Sequence, residues 1–249
     1  MPGPGSPERR RADTLLVELG LFESRAKAQA AIGAGLVIAD GQPVRKPSEA
    51  IPVTAAIEAE APHPWVSRGG VKLAAALDAF GIDPAGQVCL DVGASTGGFT
   101  DVLLSRGAAR VYAVDVGHAQ LHRALSGDAR VIAVEGMDAR RIDTRRVPER
   151  VSVCVVDVSF ISLKLVLPPL MQFLSRPSYL VALIKPQFEA GRENVGRGGI
   201  VRDDALRQLV LADIATFSAS LCLSQLGTIP SPIAGGDGNR EFLMAARLD

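Results

Sequence analysis

The stretch that most constrains this chain is Cys89 to Thr100, CLDVGASTGGFT. An apolar run, Val88 to Val92, carries an acid at Asp91 and stops at Gly93. Ala94, Ser95 and Thr96 lead to Gly97 and Gly98, and Phe99 to Ser105 predicts the start of a helix. Strand, glycine turn and helix let a backbone pass close to a bound ligand, because glycine has no Cβ and tolerates positive φ. The helix N-terminus behind the turn presents free N–H groups. A tight turn with no ligand would look the same. A dinucleotide fingerprint requires G-x-G-x-x-G. Here Ser95 holds the second glycine position, which disfavours close approach of a pyrophosphate. Asp91, two residues before the first glycine, suits a ligand with a cationic amino acid end.

The 249 residues suffice for one large domain and a small one. With 27 basic and 27 acidic residues the formal net charge is zero, so any basic footprint for a polyanion must be local. No apolar run reaches the roughly 18 residues of a membrane span, so no stable membrane association is expected. The N-terminus, MPGPGSPERRR, has no apolar core of a secretory signal, and residues 1–10 are expected as a disordered tail. Cys89, Cys154 and Cys222 each sit in an apolar stretch, which predicts buried thiols in a reducing compartment, the cytoplasm.

Residues 11–60 predict a compact α+β unit. Ala12 to Leu19 is apolar-rich and ends at Gly20; Ser24 can cap a second helix, Arg25 to Ile32, ending at Gly33 and Gly35. Leu36 to Ile38 reads as a strand, Asp40-Gly41 as a hairpin turn, Val44 as the return, and Val53 to Ala59 as a closing strand. Arg25, Lys27, Arg45 and Lys46 can line one face for RNA; a solvated charged surface has the same composition. Residues 61–66, with Pro62 and Pro64, predict a stiff linker. Ser67 then caps a helix from about Arg68 to Phe80, carrying Lys72.

Across 67–249, apolar strands alternate with helical stretches: Val88–Val92, Arg110–Val114, Val131–Val134, Val151–Val156, Tyr179–Ile184, Leu223–Ile229 and Glu241–Ala246. Such alternation predicts an α/β fold with a parallel sheet and helices on both faces. Pro230 to Arg240 is too short for a crossover helix, so the last two strands should pair antiparallel. The site of an open α/β sheet lies at the strands' carboxyl ends. Asp115, ending the second strand, can accept the two ribose hydroxyls of a nucleoside, and Asp138, after the third, an adenine amino group. Ordinary loop carboxylates remain the alternative for both. Asp157 ends the fourth strand, Lys185 the fifth, and Glu241 opens the last at the same rim. Only five of the basic residues are lysines, and two of them, Lys72 and Lys185, aim at this rim. Lysine, unlike arginine, can give up its proton when desolvated. Each could equally be a salt-bridge lysine. His118 and His122 stand four apart, with no third ligand to make a metal site.

Several of these motifs carry a resemblance. Asp91 to Gly98 resembles the first motif of the S-adenosylmethionine-binding methyltransferases. Leu21 to Ala30, Gly35-Leu36-Val37, Asp40-Gly41 and Lys46-Pro47-Ser48 resemble the S4 RNA-binding domain over nearly all of residues 11 to 60. Ser67-Arg68-Gly69-Gly70-Val71-Lys72-Leu73, Val156 to Ser162, Ile184 to Glu189 and Gly238 to Phe242 are similar to the TlyA family of hemolysin-named rRNA 2′-O-methyltransferases, whose catalytic domain is of the FtsJ type. The resemblance covers residues 11 to 248. It implies a class I, Rossmann-like seven-stranded sheet and a small N-terminal S4-like domain. It further implies S-adenosylmethionine as cofactor and ribosomal RNA within ribosomal subunits as partner. The methyl group would go to a cytidine ribose 2′-hydroxyl. Its catalytic tetrad carries over to Lys72, Asp157, Lys185 and Glu241. The cofactor would lie against Asp91, Gly93 to Phe99, Asp115 and Asp138. Arg68, and Arg192 and Arg197 in the Gly/Arg-rich stretch 191–202, are further RNA candidates, with a plain surface loop as the alternative for that stretch. A non-catalytic RNA-binding assembly factor and a membrane-active hemolysin are the competing classes. The intact tetrad weighs against the first, and the lack of a spanning or strongly amphipathic segment against the second.

Overall fold

The computed structural model describes residues 8–196 and 198–249; residues 1–7 of the expected tail, and the RNA candidate Arg197, lie outside the described residues. The chain divides into two compact units, Met1–Pro64 and Trp65–Asp249.

In the small unit, β1 (Arg9–Arg11) leads into α1 (Ala12–Glu18) and α2 (Arg25–Gly33). Ser24 caps α2, its hydroxyl accepting the Lys27 N–H at 3.3 Å. β2 (Val37–Ala39) turns through Asp40-Gly41 into β3 (Gln42–Pro43), followed by β4 (Ala50–Pro52) and β5 (Ile57–Ala59). Both turn residues have positive φ, +49° and +73°, as a tight hairpin requires. Two expectations need correction. Regular structure begins within the expected tail, because β1 pairs antiparallel with β4. The closing strand shortens to Ile57–Ala59, paired with β2, because a turn occupies Val53 and Thr54. Leu15, Leu16, Phe22, Ile32, Val37, Val44 and Ile51 fill the core.

In the large unit, α3 (Gly69–Phe80) precedes β6 (Val88–Val92), α4 (Gly98–Ser105), β7 (Arg110–Val114), α5 (Arg123–Ser126) and β8 (Val131–Val134). Then follow β9 (Val151–Val156), α6 (Leu163–Leu170), β10 (Leu174–Ile184), α7 (Pro186–Glu189), α8 (Asp204–Ser220), β11 (Ser224–Pro230) and β12 (Phe242–Leu248). The seven strands lie in the order β11-β12-β10-β9-β6-β7-β8. The first five in sequence run parallel, and β12 is antiparallel to both of its neighbours. Alternate strand residues enter different cores: Leu90, Cys154, Val156 and Met244 pack with α6, whereas Cys89, Val153, Val155 and Leu243 pack with α3 and α4. Both faces are therefore covered, which is why the strands are apolar without a polar alternation.

Three further details differ from expectation. β10 starts at Leu174, because Pro177 falls where the register with β9 is interrupted and the ladder does not need its N–H. Ser67 does not cap α3; Arg68 holds the N-cap position without a side-chain hydrogen bond. Cys89 and Cys154 are buried, but Cys222 is exposed in the turn between α8 and β11, at φ +62°. The end of the expected linker belongs to the large unit: Trp65 packs on its core, and Val66 N–H donates to Asp101 at 2.8 Å.

Candidate active site

The sheet register assembles the rim. Ile184 pairs with Phe242, Ala182 with Val156, and Val156 with Val92. Lys185, Asp157 and Gly93, each one residue beyond its strand, and Glu241, one residue before β12, thus emerge side by side. α3 brings Lys72 to the same place. Four charged side chains form two ion pairs. Lys72 Nζ lies 2.5 Å from Glu241 Oε2, and both residues are buried. Lys185 Nζ lies 2.6 Å from Asp157 Oδ1 and donates to Ser159 Oγ at 2.8 Å. A Cβ on Gly235 would stand 2.5 Å from Glu241 Oε1, so bare backbone makes the room in which that carboxylate sits.

Two hollows meet at this rim. A cleft of about 1050 Å³ includes Asp115, Val116, Asp138, Phe160, Gln187 and Arg192 in its wall. A smaller one of about 250 Å³ includes Arg68, Lys72, Ala94, Thr96, Gly98 and Phe99. Gly93, Ser95 and Asp157 line both. Gly93 has φ +86°, and a Cβ there would fall 2.2 Å from the Asp157 carbonyl oxygen. The loop can lie this close to the end of β9 only as glycine.

The expected cofactor residues are distributed unevenly. Asp91 and Gly97 line neither hollow. Asp91 is fully buried behind the loop; Thr100 Oγ1 donates to its Oδ2 at 2.6 Å, and its Oδ1 has no partner. Burial pushes its carboxyl up to about 7. Asp115 is fastened by the backbone N–H groups of Ser95, at 2.8 Å, and Gly117, at 2.7 Å. Asp138 is engaged by Arg140 at 2.6 Å, which holds its carboxyl down to about 2.

The RNA candidates also divide. In the small unit Arg25 pairs at 2.7 Å with the fully buried Asp13, and Lys27 pairs at 2.6 Å with Glu23. The Arg11 hydrogen bond, helped by Arg25 and Gln29, overcomes burial and holds the Asp13 carboxyl well below the usual range. Arg45 and Lys46 are exposed in the loop between β3 and β4, their backbone N–H groups donating to Glu49 Oε2. In the large unit Arg68 and Arg192 each border a hollow. The Gly/Arg-rich stretch is fastened at its end: Asn239, itself buried, donates to the Gly199 carbonyl at 2.8 Å and accepts the Val201 N–H at 3.0 Å.

Ser159, Thr100 and Phe160 were not predicted as site residues. Ser159 and Phe160 lie within the Asp157 motif, and Thr100 lies one helical turn past Ser95–Gly97, so proximity in sequence was the available signal. Phe160 is 90% exposed at the cleft wall with φ +64°. Among the described residues no cluster of His, Cys, Asp and Glu is arranged to hold a metal, and no helix is long and apolar enough to cross a membrane.

Comparison with known proteins agrees with both units. Residues 65–248 match the FtsJ-like methyltransferase model and residues 10–57 the S4 domain. The chain is 46% identical over 241 residues, 96% of its length and 90% of the relative's, to the 16S/23S rRNA (cytidine-2′-O)-methyltransferase TlyA of Mycobacterium tuberculosis. It is 43% identical to Hemolysin A of Brachyspira hyodysenteriae, covering 94% of this chain and 98% of that one. A solved structure of a hemolysin-named protein from Streptococcus thermophilus superposes with a TM-score of 0.76 at 41% identity, covering 98% of this chain and 90% of that chain.

Proposed function

The chain belongs to the FtsJ-like methyltransferase family, in the branch that carries an S4 domain, and from that premise we propose that it transfers a methyl group from S-adenosylmethionine to the 2′-hydroxyl of a cytidine in ribosomal RNA. The observation that carries this reading is the pair of lysine–carboxylate contacts made by Asp157, Lys185 and Glu241 at neighbouring strand ends and Lys72 on α3, beside a glycine loop that two hollows share.

The residues present fit the cofactor. Asp91 Oδ1 is a buried acceptor with no partner, and the carboxyl is poised near neutrality by burial, so a nearby cation would favour its ionised form. Gly93, where a Cβ would collide with the Asp157 carbonyl oxygen, lets the loop sit against the end of β9 and line both hollows. Asp115 keeps acceptor capacity beyond its two backbone donors, which suits ribose hydroxyls. Val116 supplies apolar surface beside it, and the Asp138–Arg140 pair borders the same cleft. The amino acid end would lie between the glycine loop and Ser67 to Gly69. When bound, the cofactor supplies a methyl group already activated on a sulfonium centre.

The chain must then orient the ribose and handle one proton. Lys185, held by Asp157 and Ser159, would stand beside the 2′-oxygen and either, as the neutral amine after releasing its own proton, take the hydroxyl proton or, as the ammonium, stabilise the charge the oxygen develops. Asp157 compensates the lysine and, lining both hollows, borders the place where the groups meet. Lys72 and Glu241 would hold the ribose and keep the buried charge balanced. Phe160 offers an aromatic face to an unstacked base. Arg68 and Arg192 on the large unit, with Arg45 and Lys46 on the small one, would meet RNA phosphates.

The test is to incubate the protein with S-adenosylmethionine and purified ribosomal subunits and map the modified nucleotides by mass spectrometry. A new 2′-O-methylcytidine is expected. Methylation only on bases, or none on subunits of either size, would refute the assignment.

A further inference from the structure

The segments that follow β9 and β10 carry the two halves of the Lys185–Asp157 pair, and they are fastened together at three places. At the rim, Lys185 reaches Asp157 and Ser159 at 2.6 and 2.8 Å. Midway, the rings of Phe160 and Phe188 stand 5.1 Å apart. At the far end, Glu189 closes α7 and reaches back across the gap. Its Oε1 accepts the Leu163 backbone N–H at 2.8 Å, and its Oε2 accepts the Ser162 hydroxyl at 2.5 Å. Ser162 in turn caps α6 by accepting the Lys164 N–H at 3.1 Å.

Glu189 is a titratable group that methyl transfer leaves without a task. Burial raises its pKa, opposed by these two hydrogen bonds. The Lys164 ammonium is taken by Asp213 at 2.5 Å. A partly buried carboxylate costs stability unless hydrogen bonds offset its lost solvation, and here both offsetting bonds come from the segment after β9. Ser162 satisfies the Lys164 N–H and Glu189 the Leu163 N–H at the start of α6, but only Glu189 comes from another segment. Glu189 adds a fixed distance between two loops.

The backbone between the fastenings points the same way. Phe160 has φ +64°. A bulky residue in this region is strained and persists only where its surroundings over-determine it. Phe160 lies between Ser159, held by Lys185, and Ser162, held by Glu189, so each side of the strained residue has an anchor.

We infer that Glu189 is a positioning residue, which clamps the segment from Ser159 to Leu163 so that Ser159 stays on Lys185 and Phe160 keeps its exposed pose at the cleft. The inference rests on the methyl-transfer reading above for its catalytic consequence, but not for the clamp itself.

Full-length Glu189→Ala and Glu189→Gln separate the two. Hydrogen exchange is measured over peptides covering residues 158–165, single-turnover methyl transfer with saturating cofactor and ribosomal subunits, and cofactor binding by calorimetry. In Glu189→Ala, exchange in that segment should quicken roughly tenfold or more while the sheet is unchanged. The methyl-transfer rate should fall about tenfold with cofactor affinity within about threefold. Glutamine keeps an acceptor for Leu163 and an amide that can bond Ser162, so Glu189→Gln should recover most of the rate. If Glu189→Ala does not fold, Ser162→Ala, which removes one of the two contacts, should show the same pattern at smaller amplitude. Unchanged exchange in the segment overturns the clamp. Faster exchange with an unchanged rate, or glutamine no better than alanine, overturns the positioning role. A wild-type chain that transfers no methyl group refutes the reaction, while the exchange measurement still decides the clamp.

Discussion

Replacing Lys185 with arginine isolates proton handling from charge. The substitution keeps a positive group at the carboxyl end of β10. The position is tight: the lysine side chain is 11% exposed and its Nζ touches Asp157 at 2.6 Å and Ser159 at 2.8 Å. Arginine can keep an ion pair with Asp157, but its larger planar head cannot reproduce both contacts from the same point, and it does not give up a proton. If Lys185 takes or shares the 2′-hydroxyl proton, the loss should match a missing acid–base group, roughly 10²-fold or more. That is about 2.7 kcal/mol of transition-state stabilisation. Cofactor binding should stay close to wild type, because the proposed role sets Lys185 against the ribose, whereas the cofactor is assigned to the glycine loop, Asp91, Asp115 and Asp138. The assay is single-turnover methyl transfer to ribosomal subunits, with RNA and cofactor affinities measured separately. A near-normal single-turnover rate in Lys185→Arg would refute the reasoning and leave the residue an electrostatic clamp.

Three other outcomes are expected. Because Lys72 and Glu241 form a buried pair at 2.5 Å, Lys72→Met should cost about 3–5 kcal/mol in denaturant unfolding, and adding Glu241→Gln should restore part of it rather than add to it; simple additivity would contradict the pairing. Between the ordinary carboxylate value of 3.8 and about 7, the folded chain keeps a proton on Asp91 that the unfolded chain has lost, so this group makes stability fall as pH rises through that window, by roughly 4 kcal/mol at most. Asp91→Asn should flatten that fall in melts from pH 4 to 8 and weaken cofactor binding, and a variant with the wild-type pH profile would show that Asp91 does not titrate there. A chain beginning at Trp65 should keep cofactor affinity and lose activity on ribosomal subunits; full activity would remove the docking role of the small unit.

The strand pattern was legible because a sheet covered on both faces has no polar side. Val151–Val156 and Val88–Val92 appear in the structure with the boundaries read from their apolar runs. The antiparallel last pair followed from a connection too short to cross over. Boundaries slipped where local chemistry misleads. Pro177 hid the first part of β10, and the apolar neighbours of Cys222 concealed a turn. Arg9–Arg11 became a strand because Ala50–Pro52 offers it an edge, which no local signal announces.

By itself the sequence determined the two-unit order, the α/β class and the glycine loop, and it placed Asp157, Lys185 and Glu241 at one rim, where the structure finds them with Lys72 in two ion pairs. Pairing was decided only by the tertiary structure. Which lysine meets which carboxylate depends on strand order and on where α3 docks, and these are set by packing between residues far apart in the chain: Lys72 and Glu241 are 169 positions apart. The same holds for Asp91, whose place behind the loop and whose raised pKa come from burial. Burial is a property of the surrounding fold and has no counterpart in a residue's immediate neighbours.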